Sequence, residues 1–294
     1  MTRLRLGTRG SKLAVWQSNW VCDRLREAHP SLEIEQIIIK THGDVVTNEQ
    51  FGEDWPVGAF VSAIERALME DRVDFAVHSF KDLQTAVTTG LMVAAVPARE
   101  TVQDVLLSKA PVDIDNLPAG FRVGTGSPRR SAQFRRLGQV EIVPIRGNVE
   151  TRIAKIEQEG LDGVVLAAAG LKRLGITYPN MTDLPTDRFV PSPAQGALAV
   201  QTRDSGDAAE IIKAIDDPKS HRAVLAERSF LKRVNAGCHV PIGALATLSG
   251  NELLLHGQLF DESGERIAED RQSGRDPVAL GTQMAEALLA ELRR

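Results

Sequence analysis

Apolar residues in the first hundred positions alternate between strand-like and helix-like spacing. Helical spacing begins behind Ser11, a favourable N-cap, and continues to residue 25, and a second helical pattern covers residues 60–68. Short apolar runs typical of strands occur at residues 4–6, 34–40, 75–77 and 91–96. This alternation predicts an α/β domain with a doubly wound sheet.

The opening pattern returns near the middle of the chain. Arg5-Leu6-Gly7-Thr8 leads to Ser11, and Arg122-Val123-Gly124-Thr125 leads to Ser127. The spacing differs by one residue, so the similarity indicates a repeated local structure and not a strict sequence repeat. We expect a second α/β domain from about residue 100. It contains predicted strands at 140–145 and 163–167 and a helix at 149–158, and a further strand at 196–201 can return to the first domain.

The last eighty residues have a different pattern. A helix is predicted at 221–234, followed by three strand-like runs and a final helix at 277–292. The runs at 244–248, 252–260 and 266–272 are separated by turn sequences and predict a three-stranded antiparallel sheet. The expected domains are therefore residues 1–98 with 195–215, residues 99–194, and a small α+β domain at 216–294.

Composition narrows the class of protein. The 294 residues are 43% hydrophobic and 25% charged, which is ordinary for a globular chain, and the net charge of −4 argues against a general nucleic-acid surface. No apolar run reaches transmembrane length, and the first residues lack a signal-peptide core. Only Cys22 and Cys238 are present, without zinc-binding spacing, so no metal site is expected. A cytoplasmic enzyme or binding protein without a membrane or nucleic-acid partner fits best.

Arginines gather where predicted strands meet predicted helices. Because free N–H groups at a helix start attract anions and a guanidinium matches a carboxylate with two hydrogen bonds, the group predicts a ligand with several anionic groups. Any one of these arginines is equally well explained as a solvated surface residue. Arg135 and Arg136, farther along their helix, are assigned to the surface. The candidate anion-binding residues are Arg9, Arg129, Arg130, Arg146 and Arg152.

Polar residues follow the buried strand at 75–77, in the segment His78-Ser79-Phe80-Lys81-Asp82. Asp82 could stabilise a developing cation or move a proton, and Lys81 could bind an anionic group. The alternative is that Asp82 caps the following turn. His78 is better explained as a structural hydrogen-bonding residue.

Two further segments indicate chemistry. The loop 124–127 is rich in glycine but lacks the lysine and spacing of a phosphate-binding P-loop, so it indicates an anion and not a nucleotide. Cys238 lies in the segment 235–243, between a predicted helix and a predicted strand. Its thiol could be a nucleophile, a covalent attachment point or inert. Cys22 lies within a helical pattern and is expected to be packed.

Taken in order, these segments resemble the porphobilinogen deaminase family over nearly the whole chain. Each segment alone is a weak signal, whereas their shared order and spacing are highly specific. The segments that carry the resemblance are residues 9–14, 78–82, 124–130, 145–148, 166–175, 195–197 and 237–243.

The resemblance implies two domains with the topology of type II periplasmic binding proteins and a third that carries the cysteine. It implies a transferase that condenses four porphobilinogens, with loss of ammonia, into linear hydroxymethylbilane for porphyrin synthesis. It also implies a monomer and a dipyrromethane cofactor held by a thioether to Cys238. The implied catalytic residue is Asp82. The implied cofactor-binding residues are Ser79, Lys81, Thr125, Ser127, Arg129, Arg130 and Arg146, and the implied substrate-binding residues are Arg9, Ser11, Phe60, Arg152 and Gln195.

The chain departs from the family pattern in two places. A family lysine is replaced by Val57, with Glu53 and Asp54 nearby, and Asp82 is followed by Leu83-Gln84 instead of the usual Val-Pro. We expect an active enzyme with altered kinetics. Two other hypotheses are a homologue that has lost turnover through the Val57 loop, and a small-anion binding protein of periplasmic type. The binding protein would leave the Cys238 loop unexplained.

Overall fold

The computed structural model describes residues 2–39, 62–86, 88–235 and 241–294. Its contacts divide the chain into two compact units. One contains Met1–Arg99 and Ala197–His221, and the other contains Glu100–Gly196 and Arg222–Arg294. Within the described residues, no helix is both long enough and apolar enough to span a bilayer.

The described elements alternate as the apolar pattern predicts. The strands are β1 (Arg3–Thr8), β2 (Glu33–Ile38), β3 (Phe75–Ser79), β4 (Leu91–Ala95), β5 (Asp104–Ser108), β6 (Phe121–Gly124), β7 (Val140–Val143), β8 (Gly163–Ala167), β9 (Met181–Asp183), β10 (Leu198–Arg203), β11 (Ile242–Ser249), β12 (Glu252–Phe260) and β13 (Ile267–Gly274). The helices are α1 (Lys12–Ala28), α2 (Ser62–Met69), α3 (Pro128–Arg135), α4 (Val149–Gln158), α5 (Ala168–Leu174), α6 (Ala208–Ile212), α7 (Pro218–Asn235) and α8 (Pro277–Leu292).

Two five-stranded sheets share one pattern of strand directions, although the chain passes through them in different orders. The first has the order β2-β1-β3-β10-β4 and the second β7-β6-β8-β5-β9. In the first sheet β1 is parallel to β2 and β3, and β10 is antiparallel to β3 and β4. In the second sheet β6 is parallel to β7 and β8, and β5 is antiparallel to β8 and β9. The predicted α/β class and the return of a late strand to the first sheet are confirmed.

The repeated pattern at residues 5–11 and 122–127 is also structural. Strands β1 and β6 occupy the same place in their sheets. Ser11 caps α1 by accepting a hydrogen bond from the Ala14 N–H, and Ser127 caps α3 by accepting one from the Arg130 N–H. Side-chain caps of this kind satisfy N–H groups that a helix start otherwise leaves without partners.

The C-terminal region is the predicted antiparallel sheet with two helices. Strands β11, β12 and β13 pair in sequence order, and α7 and α8 supply apolar side chains to one core with them. The helices approach closely at Gly281, where an added Cβ would lie 2.3 Å from the Ala226 carbonyl oxygen. Phe230, Leu255 and Met284 are fully buried in this core.

Three elements of the second unit were absent from the sequence expectation: β5, β9 and α5. Strand β5 reads Asp-Val-Leu-Leu-Ser and is buried along its whole length. A short buried run of this kind has no period by which to recognise a strand. Strand β9 has three residues and α5 has seven, so both are too short to show a pattern.

Candidate functional site

The first sheet gathers predicted site residues at one edge. Strands β1 and β3 are parallel neighbours, with Leu6 opposite Phe75 and Gly7 opposite Ala76. Their carboxyl ends therefore lie at the same edge of the sheet, where ligands of open α/β sheets bind. The segments that leave this edge carry Arg9 and Ser11 after β1, and Lys81 and Asp82 after β3.

Asp82 ends a single 3₁₀ turn formed by Phe80–Asp82. Phe80 and Leu83 are buried on either side of it, whereas Asp82 is exposed and Lys81 is half-buried. The Phe80 N–H donates a 3.0 Å hydrogen bond to the Ala197 carbonyl, just before β10. Because residues three apart align along a 3₁₀ turn, the two apolar anchors face inward together. The turn therefore presents the Asp82 carboxylate to solvent on a fixed backbone.

His78 and Ser79, which precede this turn at the end of β3, interact with other residues of the first unit. Gln17 of α1 donates a 2.8 Å hydrogen bond from Nε2 to the Ser79 hydroxyl, which ties the helix to the end of β3. Burial lowers the pKa of His78 to about 4, and the charge of Arg9 acts in the same direction. His78 is therefore neutral at neutral pH, as expected for a structural residue.

In the second unit, the loop after β6 is fixed by its own backbone and hydroxyl groups. The Thr125 N–H donates to the Val143 carbonyl at 3.0 Å, and the Thr125 Oγ1 accepts a 3.2 Å bond from the Ser127 N–H. Gly126 has no room for a side chain, because a Cβ would lie 2.5 Å from the Ile145 carbonyl oxygen. Glycine is therefore required at this position by the close approach of the backbone.

Arg129 and Arg130 meet at one buried carboxylate. Arg129 Nη2 donates to Asp104 Oδ2 at 2.8 Å, and Arg130 Nη2 donates to Asp104 Oδ1 at 2.6 Å. The Arg129 and Arg130 side chains are 5% and 6% exposed, and that of Asp104 is fully buried. The two arginines are therefore not solvated surface residues, which was the competing explanation for each of them.

Gln195 completes this group, which we call the Asp104 cluster: Asp104, Arg129, Arg130 and Gln195. Its Nε2 donates to Asp104 Oδ1 and to the Val102 carbonyl, both at 2.8 Å. Burial alone would raise the pKa of Asp104, but the charges and hydrogen bonds of Arg129 and Arg130 outweigh it and hold the pKa well below its usual range. The carboxylate is therefore ionised at neutral pH.

Arg146 and Arg152 differ from the Asp104 cluster. Arg146 is exposed, and Arg152 is half-buried with its Nε donating to the Gly147 carbonyl at 2.8 Å. Asn148 caps α4 by accepting hydrogen bonds from the Thr151 N–H and hydroxyl, both at 2.8 Å. Because β6 and β7 are parallel neighbours, this loop and the loop of Thr125 leave the same edge of the second sheet.

The segment that carries Gln195 has an unusual backbone. Ala194 and Gly196 both have positive φ, at 62° and 83°. The Ala194 N–H donates a 2.6 Å bond to the buried carboxylate of Glu227, and the Gly196 carbonyl accepts a 2.7 Å bond from Arg173. Burial lowers the pKa of Arg173 to about 10, so it remains charged. These contacts hold Gln195 against Asp104.

Sequence reasoning missed Asp104. A buried carboxylate needs positive partners, but neither the burial of β5 nor its place beside β8 can be read from the sequence, so no local signal identified Asp104. Cys238 and Phe60 lie outside the described residues. The loop in which the sequence differs from the family pattern, with Glu53, Asp54 and Val57, also lies outside them. The flanking elements agree with expectation, since α7 ends at Asn235 and β11 begins at Ile242. Cys22 is fully buried, which agrees with the packing expected for it.

Two family models cover most of the chain. Residues 4–211 match the model described as "Porphobilinogen deaminase, dipyromethane cofactor binding domain". Residues 221–290 match "Porphobilinogen deaminase, C-terminal domain".

Full-length relatives carry the same description. The porphobilinogen deaminase of Clostridium novyi (strain NT) is 44% identical over 298 residues, covering 99% of this chain and 99% of the relative. That of Brevibacillus brevis is 41% identical, covering 99% of this chain and 95% of the relative. Among solved structures, the methionine-binding protein MetQ has a TM-score of 0.44 at 10% identity, covering 74% of this chain and 92% of that chain.

Proposed function

The chain belongs to the porphobilinogen deaminase family, and from that premise we propose how its residues divide the reaction. The protein is a hydroxymethylbilane synthase, a transferase that joins four porphobilinogens head to tail with loss of ammonia in porphyrin biosynthesis. Its cofactor is dipyrromethane. The family membership does not favour a small-anion binding protein.

We assign the cofactor to Cys238 and to the residues around the Asp104 cluster. Each pyrrole unit made from porphobilinogen carries an acetate and a propionate, so the cofactor presents several carboxylates. Two guanidinium groups and one carboxylate leave the Asp104 cluster with a net charge of +1 in a buried site. Such a site favours a further anion, which supports binding by Arg129 and Arg130. Ser79, Lys81, Thr125, Ser127 and Arg146 complete the proposed cofactor contacts.

Asp82 is the proposed catalytic residue. Loss of ammonia from porphobilinogen leaves a cation whose charge spreads to the pyrrole nitrogen. A carboxylate stabilises that charge, accepts a pyrrole N–H hydrogen bond and assists proton transfer to the leaving amine. The exposed position of Asp82 on an anchored turn supports this role, because the substrate can reach the carboxylate while the backbone stays fixed. The bound cofactor supplies the pyrrole carbon that acts as nucleophile.

The proposed substrate-binding residues are Arg9, Ser11, Phe60 and Arg152, and Gln195, which the sequence resemblance places with them, is proposed to support the site indirectly. Arg9 and Ser11 follow β1 at the sheet edge that also carries Asp82. Arg152 lies one turn into α4, where a guanidinium can meet an incoming carboxylate. The buried side chain of Gln195 acts in this scheme by holding Asp104.

Intact mass spectrometry of the purified protein tests the assignment of the cysteine. We expect an added mass of two linked pyrrole units, and we expect Cys238→Ala to lose it. An unmodified wild-type mass after expression with porphobilinogen available would contradict the assignment. A modified protein without turnover would point instead to a homologue impaired by its Val57 loop.

We further propose three domains, a monomer and a cytoplasmic location. The proposed domains are residues 1–98 with 195–215, 99–194 and 216–294. The net charge of −4 and the ordinary composition support a protein without nucleic-acid or membrane partners. Size-exclusion chromatography with light scattering tests the monomer, for which the chain mass is 32.0 kDa.

A further inference from the structure

We propose that Asp104 is a positioning residue, which holds Arg129 and Arg130 so that the guanidinium group of Arg130 meets a carboxylate of the pyrrole cofactor. This inference rests on the proposed function, since it concerns how the cofactor site is built. Asp104 touches neither substrate nor cofactor in this scheme. It acts through the two arginines, each of which donates to a different oxygen of its carboxylate.

The two arginines are held to different extents. Arg129 also donates from Nη1 to Gln133 Oε1 and to the Val190 carbonyl, both at 2.9 Å. Arg130 donates from Nη1 only to the Val165 carbonyl, and its buried Nε has no partner among the described residues. A buried N–H without a partner is costly, and a ligand oxygen would satisfy it. Arg130 is therefore the better candidate for direct contact with a carboxylate, and Arg129 the better candidate for fixing the geometry.

Charge balance explains why an aspartate is needed there. Without Asp104, two buried positive charges would repel each other and would have no counterion within the cluster. With Asp104, one positive charge remains, which a single ligand carboxylate neutralises. The site is thus built to accept one further carboxylate.

Gln195 fixes the direction of the aspartate. Asp104 Oδ1 accepts from both Arg130 Nη2 and Gln195 Nε2, so this oxygen is held from two sides. Gln195 itself is anchored by its second bond to the Val102 carbonyl. The carboxylate therefore cannot rotate without breaking several hydrogen bonds, which is what a positioning role requires.

The test is cofactor loading in Asp104→Asn, with Asp74→Asn as the matched control. Asp74 also joins two arginines, Arg5 and Arg203, but it lies before β3, at the opposite end from Asp82. Apo protein is mixed with porphobilinogen, and the added two-pyrrole mass is followed over time. We expect loading to slow at least tenfold in Asp104→Asn, and to stay within about twofold of wild type in Asp74→Asn. The KM for porphobilinogen is expected to change by a smaller factor than the rate of cofactor loading.

Equal loading rates in wild type and Asp104→Asn would overturn the proposal. If Asp104→Asn does not fold, Asp104→Glu decides, because it keeps the charge and moves it by one methylene group. Slower loading in a folded Asp104→Glu supports positioning, and a wild-type rate contradicts it. Failure of the proposed function looks different, since the wild-type protein itself would then take up no pyrrole mass.

Discussion

The side chain of Gln133 on α3 donates a 2.9 Å hydrogen bond to the side-chain oxygen of Gln258 on β12. Gln133 also accepts a bond from Arg129, so this contact joins the Asp104 cluster to the C-terminal sheet. Both glutamines are buried, at 3% exposure. Buried hydrogen bonds therefore connect the C-terminal sheet to the arginines that we propose to bind the cofactor.

We expect Gln133→Leu and Gln258→Leu each to lower the free energy of unfolding by about 1–3 kcal/mol, because each leaves a buried partner without its hydrogen bond. The double variant should lose less than the sum of the two, since both changes remove the same contact. Denaturant unfolding of the four proteins measures this coupling. Strict additivity would show that the bond contributes nothing of its own.

Asp82→Asn is expected to lower kcat by at least about 10²-fold, because it removes the proposed proton-transfer and charge-stabilising group. Asp82 is exposed, so the free energy of unfolding should change by no more than about 0.5 kcal/mol. Turnover of porphobilinogen and thermal unfolding are the two measurements. Near-normal turnover would remove Asp82 from the mechanism.

Asp104→Asn is expected to lower the free energy of unfolding at pH 7 by about 3–5 kcal/mol, as for a broken buried ion pair. The pKa of Asp104 is lower in the folded than in the unfolded protein, where it is about 3.9. Its stabilisation is therefore complete above the unfolded pKa and is lost as the pH falls towards the folded pKa. The difference between wild type and variant should shrink on acidification below about pH 4. Denaturant unfolding across this pH range checks the sign, and a constant difference would contradict it.

Gly196→Ala is expected to be strongly destabilising. Its φ is 83°, and an added Cβ would lie 2.5 Å from both the Glu100 and Thr101 carbonyl oxygens. Gly206→Ala is the matched control, because Gly206 has a φ of 93° with no atom within 4 Å of an added Cβ. The control should cost about 1–2 kcal/mol from backbone strain alone, and Gly196→Ala should cost clearly more. Similar unfolding midpoints for the two variants would show that the carbonyl contacts relax freely.

Val57→Lys tests the loop that departs from the family. Adding a cation next to Glu53 and Asp54 should lower the KM for porphobilinogen, because the substrate carries two carboxylates. Steady-state kinetics at low and high salt measures the effect, which should weaken as salt screens the charge. A KM equal to that of the native chain would show that the loop change is immaterial to substrate affinity.

Segments with a clear apolar period and turn residues at their ends could be predicted from the sequence, whereas the centre of the proposed cofactor site could not. The helix at 149–158 and the final helix at 277–292 both follow from local pattern. Asp104 follows from none of this, because its role depends on which strand lies beside β8. Register brings Asp104 opposite Ala167, at the carboxyl end of β8, and only tertiary structure fixes that register.

The sequence pattern also does not show which of the candidate arginines are buried. Sequence spacing identified Arg129, Arg130 and Arg146 as one group at helix starts. Burial separates them, because Arg129 and Arg130 point to a carboxylate in the interior and Arg146 remains exposed. A side chain's environment is set by residues far away in the chain, such as Val190 and Asp104 for Arg129. Local sequence pattern therefore identifies which residues can bind an anion, but it does not identify the residues that they contact in the fold.

The place of β10 in the first sheet has a consequence for the nascent chain. This strand lies between β3 and β4 and supplies Leu198 and Val200 to their core. During synthesis, β3 and β4 therefore leave the ribosome about a hundred residues before the strand that joins them, which is about 5–20 s at ordinary elongation rates. The second sheet needs no later strand, so it can close first. All strands of the second sheet are therefore synthesised before the last strand of the first sheet.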